Sequence, residues 1–412
     1  MIRTLITGIL SLVVFASAPA GSPGVQTGIE VLRDRSFDLL QGKRVGLITN
    51  PTGVDRQLRA TIDILFAAKG VTLVALYGPE HGVRGDYAAG DIVDFYTDPQ
   101  TKLPVYSLYG KTRKPTPDML NGVDILVYDI QDIGCRSYTY ISTMGLAMEA
   151  AATQGIPFVV FDRPNPLGGN RVEGNSVEKG FFSFVSQFPI PYVYGLTCGE
   201  LARMLNDGGL LTDGVRCSLS VVPMKGWKRT MTFEETGLPW VPTSPHVPHD
   251  FSPLYYVSTG ILGELGVISE GVGYTLPFQL LAAEWINGSA LAAKMNALNM
   301  PGLIFRPITV KPFYGRSTGK TLQGVQVHII TPDKVNLMSV QFRFLEVHHQ
   351  LYPEKNPFTL ADGSRIGMFD KVAGTDKVRT AFAARMRYDD VKDLLEGGTG
   401  KFKARSKKYL LY

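Results

Sequence analysis

Val123-Asp-Ile-Leu-Val-Tyr-Asp129, the stretch from Ser142 to Gln154, and Phe158-Val-Val-Phe161 closed by Asp162-Arg163-Pro164-Asn165-Pro166 decide the fold of this chain. The two short runs are almost continuously apolar, as strands are when both of their faces are covered. The stretch between them has the length and spacing of a helix, so the three make a βαβ unit with parallel strands. The alternation continues outward on both sides. Arg44-Val-Gly-Leu-Ile-Thr-Asn50 reads as a strand ending in the turn Asn50-Pro51-Thr52-Gly53. Leu58 to Ala68 has helical spacing, with Leu58, Ile62, Leu65 and Phe66 on one side. Val71 to Tyr77 and Val105 to Tyr109 are further strands. Thr197-Cys-Gly-Glu200 is a capping box that opens a helix through Leu205, and Ser218 to Val222 is another strand. The expected fold is therefore α/β, with a doubly wound parallel sheet whose chemistry lies beyond the carboxyl ends of its strands.

The pattern changes after Ser269. Helices are expected at about Phe278 to Ile286, Ala290 to Leu298, Ser339 to Gln350 and Lys377 to Glu396, with strands from Leu303 to Lys311 and Gly324 to Thr331. That is a smaller α+β module. Between Trp227 and Pro253 the chain is rich in proline and aromatics, the composition of a long ordered loop at a cleft wall or domain joint. The expected division is 21–245 for the parallel-sheet domain and 246–412 for the α+β domain.

Composition bounds the function. With 412 residues, 44% hydrophobic and 19% charged, the chain suits two or three globular domains and rules out wholesale disorder. Lys+Arg 42 against Asp+Glu 37 leaves +5, spread along the chain, which argues against a nucleic-acid binder. Cys135, Cys198 and Cys217 form no C-x-x-C pair, so neither a disulfide framework nor an ordinary structural zinc site is expected; pairing of Cys198 with Cys217 stays open. Met1-Ile-Arg3 places a positive charge before the apolar run Leu5 to Phe15, and Ala16-Ser17-Ala18-Pro19-Ala20 follows. Residues 1–20 thus read as a secretory signal peptide, and the mature protein is expected to be exported, periplasmic or extracellular, without stable membrane insertion.

Polar clusters sit where the doubly wound rule puts them. Glu80-His81-Gly82-Val83-Arg84 follows one strand, Asp129-Ile-Gln131-Asp132 with Arg136, Tyr138 and Tyr140 follows another, and Asp162-Arg163-Pro164-Asn165 a third. Glu80, held between a proline-ended strand and a glycine turn, has the setting of a general acid. His81 suits orientation of a substrate oxygen or proton shuttling, and equally a structural donor. Arg84, Arg136 and Arg163 offer guanidinium forks for a carboxylate, and Tyr138 and Tyr140 offer faces for a sugar. His246-Val-Pro-His249 has the look of a metal pair but lacks a helix to align it.

Long stretches resemble a known family. They are Val45-Gly-Leu-Ile-Thr-Asn-Pro-Thr-Gly53, Gly78-Pro-Glu-His-Gly-Val-Arg-Gly85, Pro104-Val-Tyr-Ser-Leu-Tyr-Gly110, Tyr128-Asp-Ile-Gln-Asp-Ile-Gly134, Tyr138-Thr-Tyr-Ile-Ser-Thr-Met144 and Asp162-Arg-Pro-Asn-Pro166. The family, long called DUF1343, is associated with exo-β-N-acetylmuramidases of the NamZ type. The resemblance implies a Rossmann-like domain followed by a smaller α+β domain. It implies a glycoside hydrolase that releases N-acetylmuramic acid from the non-reducing ends of peptidoglycan fragments or muropeptides, with no cofactor and no metal. Carried over by position, it makes Glu80 the catalytic acid, with His81, Arg84, Asp129, Gln131, Asp132 and Arg136 around it. Asn165, His246 and Glu270 join the expected substrate contacts. Glu264 and Glu270 match the family pattern, whereas Val272 stands where that pattern has arginine and His246 where many members have asparagine. The second catalytic carboxyl is open among Asp129, Asp132, Glu264 and Glu270. The alternative is an exported sugar- or muropeptide-binding protein without catalysis; a metal-dependent amidase using His246 and His249 is a further enzyme reading.

Overall fold

The computed structural model describes residues 24–85 and 95–412, so the signal peptide expected over 1–20 lies outside the described residues. The first unit is built on a sheet of seven strands: β1 (Arg44–Thr49), β2 (Thr72–Gly78), β3 (Tyr96–Thr97), β4 (Pro104–Ser107), β5 (Ile125–Asp129), β6 (Phe158–Phe161) and β7 (Leu219–Val222). Their order is β3-β4-β2-β1-β5-β6-β7, parallel except for β3, which runs antiparallel to β4. The chain enters at β1 and winds outward first through β2 and then through β5. The topological switch point therefore lies between β1 and β5, where Thr49 is paired with Asp129.

Alternation along these strands divides the core into two layers. Val45, Leu47, Leu76, Val127 and Phe161 face Ile29, Leu32, Ile62 and Leu65 of helices Gly28–Asp34 and Thr61–Phe66. Ile48, Tyr77, Leu126, Tyr128, Phe158 and Val160 face helices Tyr140–Gln154 and Cys198–Asp207 through Met144, Met148, Leu201 and Leu205. Each large apolar side chain buried this way contributes about 1.5–3 kcal/mol, which is why strands covered on both faces carry so few polar residues.

The second unit holds an antiparallel sheet, β8 (Leu280–Ala283), β9 (Leu303–Val310) and β10 (Leu322–Ile329), in the order β8-β10-β9. Helices Ser252–Glu264, Gly288–Ala297 and Leu337–Leu351 cover it. Val257, Ile261, Leu281, Val325 and Phe344 belong to the same apolar cluster as Tyr128 and Met144, so the two units share one core.

Three expectations are corrected. Residues 278–286 do not form a helix; they contain β8. Leu280 and Ala282 pack into one cluster and Leu281 and Ala283 into another, and a short run buried on both sides is apolar whether it is strand or helix. The helix expected from Lys377 to Glu396 is broken into Lys377–Arg385 and Lys392–Glu396, because Met386 takes a left-handed conformation with φ 52°. Helix Ser252–Glu264 was not expected at all. Pro253 starts it, but Gly260 and Gly263 interrupt the apolar period that would have announced it.

Residues near the carboxyl end of the chain clamp the first sheet. The Tyr412 hydroxyl donates to Asp162 Oδ2 at 2.7 Å and accepts from the Met224 N–H at 2.8 Å, while the Leu411 N–H reaches Glu200 Oε1 at 2.9 Å. Tyr412→Phe leaves buried polar groups short of a partner and should lower the denaturant midpoint by the equivalent of about 1–3 kcal/mol, with kcat unchanged. A wild-type midpoint in urea titration would show that the clamp carries no stability.

Candidate active site

Glu80 is placed by the turn that ends β2. The Leu108 N–H bonds the Gly78 carbonyl at 2.8 Å, and the Gly82 N–H bonds the Pro79 carbonyl at 3.1 Å. A Cβ on Gly78 would stand 3.2 Å from the Gly82 Cα, a close approach that glycine accommodates. His81 adopts φ 76°, a left-handed conformation costly for a residue with a side chain, and such strain concentrates at functional sites. The half-buried Glu80 carboxyl accepts from the Thr139 hydroxyl at 3.3 Å and is hydrogen-bonded by Tyr109, whose phenol burial and the Glu80 charge push up to about 12. Behind it stands Tyr140, whose hydroxyl bonds the Thr243 carbonyl and Asn50 and which burial holds well above the ordinary tyrosine range.

The second unit completes this wall. His246 lies close enough to the buried His81 that burial, reinforced by the neighbouring imidazole, lowers its pKa. Its Nε2 is 2.8 Å from the Tyr314 hydroxyl, and the two rings stack at 6.0 Å and 14°. Tyr314 sits on the loop joining β9 to β10. Two residues on, Arg316 reaches Glu270 Oε2 at 3.4 Å and the Gly263 carbonyl at 3.2 Å. Glu264 lies beside Glu270; burial first, then the Glu270 charge, raises its pKa, and burial raises that of Glu270. A ladder of rings joins the two carboxyl clusters: Tyr138 is 4.9 Å from Tyr140 and 5.8 Å from Tyr256, and Tyr256 feels the Glu264 charge.

Several of the expected site residues are bonded within the protein. Arg163 grips Asp129 with Nε–Oδ1 at 2.5 Å and Nη2–Oδ2 at 2.9 Å, the Thr61 hydroxyl adds a bond at 2.5 Å, and Asp129 has no exposed surface. The two charges are paired with each other. Arg84 pairs with Asp98 at 2.6 Å and with Asp63 at 3.0 Å. Arg136 is 1% exposed and donates to the carbonyls of Asn175, Ile190 and Val372, tying the first unit to helix Gly363–Ala373. The Gln131 amide is used by the Asp132 and Pro164 carbonyls, and Asn165 by the Leu196 carbonyl and the Leu167 N–H. Tyr138 is buried among Tyr140 and Tyr256 and donates to Thr243, so it offers no open face to a sugar. Asp132 is fully buried beneath Tyr194 and Gly134, and burial pushes it to about 6.

The structure brings together Glu80, His81 and His246, and sets Glu264 with Glu270. Sequence reading missed Tyr109, Thr139, Tyr256, Tyr314 and Arg316 as site residues. Tyr109 at least follows the strand beside β2, where the edge rule points; Tyr314 and Arg316 lie on a loop of the other unit and carry no local signal. Cys135, Cys198 and Cys217 are buried free thiols. Among the described residues no group of three or more His, Cys, Asp or Glu is arranged to hold a metal. A cavity of about 680 Å³ lies elsewhere, between Leu167–Glu173, Arg229–Glu234 and Pro332–Asn336, and its Arg171 and Arg229 are neutralised by Glu173 and Glu200.

A strained Glu-His turn at the carboxyl edge of a parallel sheet, with a carboxyl pair in the second unit, has the residue types of an acid–base enzyme. The chain belongs to the exo-β-N-acetylmuramidase NamZ family: the family's N-terminal model matches residues 45–250 and its C-terminal model residues 254–412. It is 45% identical to the peptidoglycan β-N-acetylmuramidase NamZ of Bacillus subtilis (strain 168), over 95% of this chain and 92% of that one. Two crystal structures of DUF1343 family proteins from Bacteroides fragilis NCTC 9343 share the fold. One has a TM-score of 0.91 at 57% identity, the other 0.75 at 28%, each covering 94% of this chain and 99% of its own.

Two predictions separate structure from chemistry. Arg163→Ala strands the buried Asp129 carboxylate and should cost about 3–5 kcal/mol of stability, read as a fall in Tm. An unchanged Tm with a raised KM would return Arg163 to the substrate. Asp132 has a folded pKa above its unfolded value near 4, so its favourable contribution is complete below pH 4 and is lost as pH rises to about 6, a change of about 3 kcal/mol. Asp132→Asn should flatten the decline of Tm between pH 4 and 6; a decline as steep as wild type would reject this origin.

Proposed function

We propose that Glu80 is the proton donor of an exo-acting β-N-acetylmuramidase that releases N-acetylmuramic acid from the non-reducing ends of peptidoglycan fragments. The family and its curated relative support the reaction, and the observation that carries the residue assignment is the setting of Glu80. It is a half-buried carboxyl at the end of β2, with no ion pair among the described residues, and is steadied by Thr139 and Tyr109. Asp129, its rival at the end of β5, is paired with Arg163. Glycosidic cleavage needs a proton on the leaving oxygen and stabilisation of an oxocarbenium-like centre. Glu80 supplies the proton. His81 and His246, with Tyr314 behind, orient the sugar hydroxyls. Glu264 and Glu270, neighbouring carboxyls of the second unit, are kept for the second carboxyl role.

Glu80→Gln keeps the shape and removes the transferable proton. Turnover of a MurNAc-GlcNAc disaccharide should fall about 10²–10⁴-fold, with substrate binding retained. A nitrophenyl glycoside, which leaves with little help, should lose less. Near-normal turnover of the disaccharide would overturn the assignment, and equal losses on both substrates would make Glu80 a nucleophile or charge stabiliser instead. The same proposal places the enzyme outside the cytoplasm, on the Ala16-Ser17-Ala18-Pro19-Ala20 pattern behind the apolar run. Mass spectrometry of the secreted protein should find a start at about residue 19 or 21; a chain beginning at Met1 would contradict it.

A further inference from the structure

N-acetylmuramic acid differs from N-acetylglucosamine by a lactyl ether on C3, which ends in a carboxylate. A site that tells the two sugars apart needs a cation with donors to spare. The arginines on the carboxyl edge of the parallel sheet are already committed: Arg84 pairs with Asp98 and Asp63, Arg163 with Asp129, and Arg136 with backbone carbonyls in the interior.

The loop between β9 and β10 presents a different guanidinium. Arg316 is 40% exposed, and its contacts to Glu270 at 3.4 Å and the Gly263 carbonyl at 3.2 Å are long for charge-assisted bonds and occupy few of its five N–H donors. Arg365, from helix Gly363–Ala373, converges on the same place. A Cβ on Gly266 would stand 2.8 Å from Arg316 Nη1 and 3.4 Å from Arg365 Nε, and one on Gly263 would stand 2.8 Å from the Glu270 carboxyl carbon. Glycine at both positions lets the guanidinium pair settle against the end of helix Ser252–Glu264.

This cluster is tied to the catalytic wall. Arg316 follows Tyr314 by two residues, a span of at most about 7 Å. Tyr314 bonds His246, and His246 adjoins His81, the neighbour of Glu80. The loop that carries Arg316 thus belongs to the same run of contacts as Glu80, through Tyr314, His246 and His81. The charges of Arg316 and Arg365 both bear on Glu264 and Glu270, whose pKa values burial raises.

We propose that Arg316, with Arg365 beside it, anchors the lactyl carboxylate and so makes this cleft selective for N-acetylmuramic acid. The proposal rests on the muramidase reading above. The anchor requires a free carboxylate, so a substrate whose lactyl group is amidated, as by a peptide, is a poor one.

The test uses nitrophenyl β-glycosides of N-acetylmuramic acid, of its lactyl amide and of N-acetylglucosamine, with the full chain as wild type, Arg316→Ala, Arg316→Lys and Arg365→Ala. Wild type should prefer the free acid over the amide by roughly 10- to 100-fold in kcat/KM. Arg316→Ala should erase most of that preference by losing activity on the acid alone, Arg316→Lys should restore part of it, and Arg365→Ala should fall between. Both positions are exposed, and melting curves confirm folded variants. A wild-type enzyme that cleaves the acid with variants that keep its full preference would overturn the anchor, as would a wild type that cleaves acid and amide equally well. A wild type that cleaves none of the three sinks the muramidase reading instead.

Discussion

The buried pair between Asp129 and Arg163 is the constraint on which the catalytic edge depends. The two residues end adjacent parallel strands, β5 and β6, beside the switch point, and their side chains meet with almost no exposed surface. A pair this deep adds little net stability, since desolvation offsets most of its attraction, but neither partner tolerates the loss of the other. Its effect is to lock geometry. Thr61 joins it from the helix after β1, and the Thr49 hydroxyl bonds the Asp129 carbonyl at 2.8 Å, so β1, β5 and β6 end in one fixed arrangement.

With that edge rigid, reactivity moves one strand over. The turn after β2 places Glu80 in the cleft at the expense of a left-handed His81. The carboxyl has the hydroxyls of Thr139 and Tyr109 as partners. The contrast between Asp129 and Glu80 is one of environment: both follow strands of the same sheet, yet one is neutralised and the other left available.

The second unit is part of the site. Its hydrophobic core is continuous with that of the first, and Arg136 reaches across to the Val372 carbonyl, so the cleft walls are held in fixed relation. Within the second unit, the loop between β9 and β10 sets Tyr314 on His246 and Arg316 on Glu270.

The sequence by itself determined the parallel sheet and the ends of its strands, because runs covered on both faces must be apolar and the doubly wound rule then locates the chemistry. It also singled out Glu80 and His81, since proline, glutamate, histidine and glycine after a strand leave few other conformations. It could not separate strand from helix at residues 280–283, where burial on both sides erases the period. Nor could it say which polar residues at the edge were free. Asp129, Arg163, Gln131 and Asn165 have the chemistry of a substrate site, and only the tertiary structure shows them spent on one another and on backbone carbonyls. The same holds for Tyr314 and Arg316, whose loop reads as an ordinary hairpin connection. Their place opposite Glu80 follows from how the second unit packs on the first, a long-range arrangement that no local pattern encodes.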